Sequence, residues 1–223
     1  VNPGTFVKLQ LLVPGESAVP GTTLGKTGIP SVQTAGTAFT VRVNGVDANW
    51  NVTPTANGSS FTINISSSDT NATLPSNANL SSGTQTFNVT LRRAGTATIT
   101  ATDTDDGTKT PSTSPAINVN SGAFAKLQVL MPGENPVAGS ATGKSGSPLT
   151  QTAGTPFNIT VNSVDANWNP IATNDTIHIT SSDTNAVLPA DAALSNGTQT
   201  FSVLLKTGGA RTVTASNLTH TGI

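Results

Sequence analysis

Apolar residues fall at alternate positions in short runs along this chain. Val7, Leu9 and Leu11 open the pattern, and Phe39, Val41 and Val43 continue it. Phe61, Ile63 and Ile65 follow, then Ala72 and Leu74, then Phe87, Val89 and Leu91. Ala97, Ile99 and Ala101, and finally Ile117 and Val119, complete the set. A period of two marks strands with one buried face. Gly, Pro, Asn and Asp fill the gaps, as turns require. Seven such strands predict an all-β, Ig-like antiparallel sandwich. No helix longer than one turn is predicted, and residues 190–194 are the best place for one.

The whole pattern then recurs. QTAGTAFTVRVNGVDANWN at 33–51 returns as QTAGTPFNITVNSVDANWN at 151–169. FVKLQ at position 6 returns as FAKLQ at 124, and SSDTN at 67 returns at 181. The four residues missing from the second copy fall in 52–60, a Thr/Pro/Asn/Gly loop of the kind that tolerates deletion. Two tandem domains follow, at 3–120 and 121–223, each of ordinary size. Inward positions keep their apolarity between copies: Leu9 matches Leu127, Val41 matches Ile159, and Phe87 matches Phe201. Outward positions drift, Arg42 standing against Thr160 and Asn64 against His178.

Copy two stops at Ile223, before any counterpart of the strand at 115–119. The expectation is a window on a longer array, with the second sandwich short of its last strand and its edge unpaired. A strand donated by another chain is the alternative, for which Val1 and Asn2 are too short to be the donor.

Charged residues make up 9% of the chain, against about 25% in ordinary soluble domains. A net charge of −1 gives no field to attract nucleic acid or an anionic membrane surface. Cysteine is absent, which excludes disulfides and thiolate metal sites. No apolar run approaches the ~18 residues needed to span a bilayer. This Thr/Asn/Gly-rich, weakly charged composition suits a bacterial exterior, either secreted or on the cell surface.

VDANWNP at 164–170, an I-x-I strand after it, and later an AGT turn and a T-x-T-A strand in the first copy carry a resemblance. They resemble the bacterial Ig-like domains of invasin- and intimin-type surface proteins, whose corresponding turn usually reads D-x-x-G-N-P. Two departures stand out. Trp50 and Trp168 occupy a position where that family often has Gly, and the loop at 14–31 is unusually long. The resemblance implies an extracellular spacer or adhesin module and no catalytic residues.

Several motifs invite chemistry. GTTLGKT at 21–27 and GSATGKS at 139–145 look like phosphate loops. Their glycines are one residue too close, and a strand rather than a helix follows, so no amide cradle is expected. Lys8 and Lys126 raise the question of Lys–Asn isopeptide bonds. Both alternate with inward leucines, so they are expected to point outward. Asp47, Asn49 and Asn51 offer oxygens at alternate positions, and Asp103, Asp105 and Asp106 sit in a loop at the same end of the sandwich. Together they suggest a weak calcium site. The competing and favoured reading is a turn in which Asp47 caps backbone amides. Catalytic constellations are not expected, because His178 and His220 have no counterparts in the first copy. The many Asn-x-Ser/Thr triplets follow from composition.

Strand directions place the turn at 47–51 at one pole and the loop at 14–31 at the other. With a linker of four residues at 120–123, the loop at 14–31 and residues 67–71 of domain one should meet the turn at 165–169 of domain two. The expected junction comprises Glu16, Lys26, Asp69, Asn71, Asp165, Asn167 and Trp168. Trp168 would fill the gap, or else each Trp closes its own sandwich. The resulting function is a stalk or fibre segment whose partners are adjacent repeats of the same chain. A glycan- or protein-binding module using loop 14–31 or Trp50 and Trp168 is the alternative.

Overall fold

The computed structural model describes residues 1–54 and 61–223, and most of the loop that differs in length between the copies lies outside it. The chain forms two compact units, Val1–Asn120 and Ser121–Ile223. Both are all-β, and no helix occurs among the described residues.

In unit 1, β1 (Lys8–Leu12), β5 (Ala38–Val46) and β8 (Thr84–Thr90) form one sheet, with β5 central. Facing it are β6 (Thr62–Ser67), β7 (Ala78–Asn79), β10 (Ile99–Asp103) and β11 (Ser112–Thr113). A third ladder sets β12 (Ile117–Asn120) between β4 (Gln33–Thr34) and β9 (Gly95–Ala97). β12 runs parallel to β4 and antiparallel to β9. The hairpin β2 (Glu16–Ala18) and β3 (Lys26–Gly28) stands apart from these sheets. Between them the predicted inward residues Leu9, Leu11, Val41, Val43, Ile63, Val89, Leu91 and Ile99 are buried together. Close packing of this set supplies the main apolar contribution to stability.

Unit 2 repeats the design with β13 (Phe124–Leu130), β16 (Phe157–Asp165) and β19 (Thr198–Val203) in one sheet. β17 (Thr176–Ser181), flanked by β18 (Ala192–Ala193) and β20 (Val213–Asn217), forms the other. The hairpin β14 (Glu134–Pro136) and β15 (Lys144–Gly146) matches β2–β3. Unit 2 has no strand corresponding to β12, and the segments matching β4 and β9 are not strands either. Each of those two segments pairs in unit 1 only with β12.

The structure corrects four details of the pattern. Residues 190–194 form no helical turn; Ala192 and Ala193 pair with β17 instead. Val7 is 38% exposed, because the N–H of Val7 and the residue after it both face Val46, a bulge that reverses the alternation. The equivalent irregularity in unit 2 lies between Phe124 and Lys126. Phe6 turns inward instead and meets Phe61 edge-on at 4.7 Å. Leu74 is 37% exposed, and Leu80, at 6%, fills the core in its place. The predicted strand at 97–101 divides at Thr98, with β9 joining β12 and β10 joining β6.

Candidate functional site: the repeated pole locks

The long loop at 14–31 doubles back. Glu16 closes the base of β2–β3 by an ion pair with Lys26 at 2.8 Å and accepts the Val13 N–H at 3.1 Å. Glu134 and Lys144 repeat the pair at 2.7 Å. Burial alone pushes the Glu134 carboxyl up, but the Lys144 ammonium and the Met131 amide outweigh it and leave it lowered. From this base the hairpin runs beside β1, and its tip returns to the pole that carries the turn at 47–51. There the Gly21 N–H donates to Asn49 O at 2.7 Å. Strand direction alone places the whole of this loop at the opposite pole; the hairpin's reversal brings its tip back.

The reversal explains a buried polar pair that period-two reasoning places outside. Gln10 is 1% exposed. Its Nε2 donates to Gly25 O at 2.7 Å, and its Oε1 accepts from Asn44 Nδ2 at 2.8 Å. Gln128, Gly143 and Asn162 repeat the arrangement. Buried amides satisfied in this way fix the hairpin's register on β1. Gln and Asn recurring in step with the apolar residues was the available signal.

Trp50 completes the lock. Its backbone is left-handed, with φ 67°, as is that of Trp168. A non-glycine residue pays roughly 1–2 kcal/mol for that conformation. Trp therefore stands in the geometry that the glycine of related turns would adopt freely. The indole offsets the strain. Its Nε1 donates to Thr23 O at 3.2 Å, and the Lys8 ammonium lies 3.4 Å from the ring centroid. Lys8 also donates to Ala48 O at 3.0 Å. Lys126 sits over Trp168 at the same 3.4 Å, and the Trp168 Nε1 donates to Ala141 O at 3.4 Å. Partial burial pulls the Lys126 amine down from its ordinary value, against the opposing pull of Asp165. Gly25 must lack a side chain here: a Cβ would come within 2.1 Å of Trp50 Cδ2, on a backbone with φ +71°. Each ring thus has a face taken by an ammonium of its own unit, which is then not open for stacking on a sugar.

Asp47 anchors the turn itself and is 4% exposed. Its Oδ1 accepts the Asn49 and Asn51 amides at 2.9 Å each, and its Oδ2 accepts the Gly4 amide at 2.7 Å. The Asn51 side chain donates to both oxygens. These bonds, that from Asn51 above all, hold the Asp47 carboxyl at about 2, below its ordinary 3.8. Asp165, fully buried, accepts the Asn167, Asn169 and Gly122 amides in the same arrangement. Ser121 adds a bond to Pro170 O at 3.1 Å. At the other pole Asp69 accepts the amides of Asn71, Arg92 and Arg93. Asp183 accepts those of Asn185, Lys206 and Thr207, and its carboxyl is held well below the usual range, chiefly by the Thr207 amide.

The carboxylates named for a calcium site are engaged in hydrogen bonds and an ion pair. Asp47 is occupied by its own turn. Asp103 Oδ1 accepts the Asp105 and Asp106 amides, Asp105 accepts the Thr62 amide, and Asp106 pairs with Lys109 at 2.8 Å. Asp103 Oδ2 is buried without a hydrogen-bond partner among the described residues. No group of three acidic or histidine side chains among them is placed to hold a metal. At the matching place in unit 2, the Asp175 carboxylate is taken by Asn217 and His220, both at 2.6 Å. Of the junction residues, Glu16 and Lys26 pair with each other, and Asp69 with Asn71. Asp165, Asn167 and Trp168 belong to one turn and its lock.

The chain matches no family model and no curated protein. Among solved structures it is similar to the D0–D1 domains of intimin, at 14% identity over 85% of this chain and 86% of that one, with a TM-score of 0.30. It is also similar to the Escherichia coli adhesin FdeC, at 14% identity over 98% of this chain and 62% of that one, TM-score 0.42. Domains 4–9 of the surface-layer protein SbsC match at 24% identity over 95% of this chain and 30% of that one, TM-score 0.31.

Two outcomes are expected of the lock. Gly25→Ala should destabilise unit 1 by about 2–4 kcal/mol, through strain and a forced clash with the indole. It should also red-shift Trp50 emission, whereas Gly21→Ala, whose Cβ meets nothing within 4 Å, should cost only about 1–2 kcal/mol. Denaturant titration with fluorescence measures both. Because the folded pKa of Asp47 lies below its unfolded value, its contribution is complete above the ordinary 3.8 and is lost as pH falls through about 2. Exchange protection of the Asn49 and Asn51 amides should therefore fall over that window, and Asp47→Asn should flatten the dependence.

Proposed function

We propose that the chain is a structural spacer of an extracellular bacterial surface or fibre-forming protein, its partners being neighbouring repeats of the same kind. The observation that carries this reading is the use made of its repeated polar residues. Glu16, Lys26, Asp47, Trp50 and Asp69, with their counterparts, all hold loops onto their own sandwich. None converges on a reactive group.

The connection between the units supports the same reading. Asn120 is the last residue of β12, and the next two residues are already bonded to the turn of unit 2 through Asp165 and Pro170. A connection with so little free chain is of the kind a spacer would use. A weakly charged, Thr/Asn-rich surface without cysteine suits exposure outside the cell. The bacterial Ig-like resemblance of the VDANWN turns agrees with it.

Asp165→Ala tests this, because it releases the Gly122 amide at the connection. NMR relaxation should give both units the long correlation time of a body of 223 residues in the unaltered chain and shorter times in the variant. Short correlation times, those of bodies of about half the chain, in both proteins would overturn the spacer role.

A further inference from the structure

Unit 1 has a groove between the hairpin β2–β3 and the outer face of the sheet that holds β1 and β5. It measures about 460 Å³ and is lined by residues 12–14, by all three residues of β2, and by Thr40 and Arg42 of β5. Leu12 and Arg42 are register partners on β1 and β5, out of step with the inward Leu11, Val41 and Val43. Leu12 is nonetheless buried, whereas Arg42 is open to solvent. The Arg42 Nε donates to Asn44 Oδ1 and Thr84 Oγ1 at 3.0 Å each, which fixes the guanidinium and leaves its two Nη groups free of protein partners among the described residues. None of those residues forms an ion pair with it. The other charge in the lining, Glu16, is already neutralised by Lys26. β2 pairs with β3 alone, so its second edge belongs to no sheet. Side chains alternate along a strand, so three consecutive lining residues mean that this edge borders the groove.

We propose that this groove receives an extended, acidic peptide segment of a partner protein, laid along the open edge of β2 with a carboxylate on Arg42. The paired Nη groups present the fork that holds a carboxylate through two parallel hydrogen bonds. The backbone of the segment adds to β2 as one more strand, the usual fate of an exposed edge. Alternate side chains of the segment face the sheet, so an acidic residue on Arg42 sets an apolar one, two positions away, against the apolar wall at 12–14. The lining contains no aromatic ring and so offers a sugar no surface to stack on. The charge that decides the fit is confined to unit 1, because Thr160 stands at the position of Arg42 in unit 2. This role is independent of the spacer reading: a rod can carry the groove, and the groove does not require a rod.

A synthetic peptide of sequence TVTET, capped at both ends so that glutamate is its one charge and shares a face with valine, tests the proposal by NMR titration of the full chain. The expected result is saturable shifts at residues 12–18 and 40–42, with none at 130–136 and 158–160, the matching stretches of unit 2. Glutamine in place of the peptide's glutamate should weaken binding about tenfold (about 1.4 kcal/mol), through loss of the charge-assisted pair. Arg42→Thr should weaken it to the same degree, and the fold accommodates that change, since unit 2 has Thr160 there. No saturable shift at ~1 mM peptide, equal binding of the glutamine peptide, equal binding by Arg42→Thr, or equal shifts in the two units would each overturn it. Saturation by a uronic-acid oligosaccharide and not by the peptide would overturn it as well.

Discussion

A buried carboxylate at the end of each sandwich organises the chain around it. Asp47 and Asp165 each accept three backbone amides, two from their own turn and one from the segment that enters the unit. An acidic group so enclosed is stable only while those donors stay in place, since an unmatched buried charge is costly. The turn, the entering strand and the start of β1 or β13 are therefore fixed as one piece. On that piece the next residue but two, a tryptophan, is set in a backbone conformation it would not choose.

The tryptophan links local strain to long-range structure. Held at positive φ, its ring projects over the tip of a hairpin that left the sandwich at the opposite pole. A glycine in the hairpin makes room, a lysine from the first strand covers the ring, and a buried glutamine ties the hairpin backbone to that strand. Packing, a cation–π contact and a satisfied buried amide thus act on one small area. The same set recurs with the same distances in unit 2.

Much of this was legible in the sequence, because each signal was local. Alternation marked Leu9, Val41, Ile63 and Val89 as core, and the repeat set the register of both copies. The bulge at Val7 was hidden, because one extra residue reverses a period without changing composition. The return of the hairpin was hidden too, since nothing in residues 14–31 states a direction. The loops that repeat so well between copies looked like faces meeting across a junction. In the structure Glu16 and Lys26, Asp69, Asp165 and Trp168 each have partners within their own unit, which is itself a reason for those residue types to recur. Asp103 and its neighbours had the residue types of a cation loop, but their carboxylates turn to nearby amides and a lysine instead.

The claim that these locks are closed by residues of their own sandwich is open to one direct comparison. The Trp168 indole N–H and the Lys126 ε-methylene resonances would be recorded by NMR in the full chain and in a chain of residues 121–223 alone. The account predicts strongly ring-shifted lysine protons and unchanged positions for both groups in the two samples. Lysine protons at their ordinary positions, or a Trp168 signal that moves once unit 1 is removed, would contradict it.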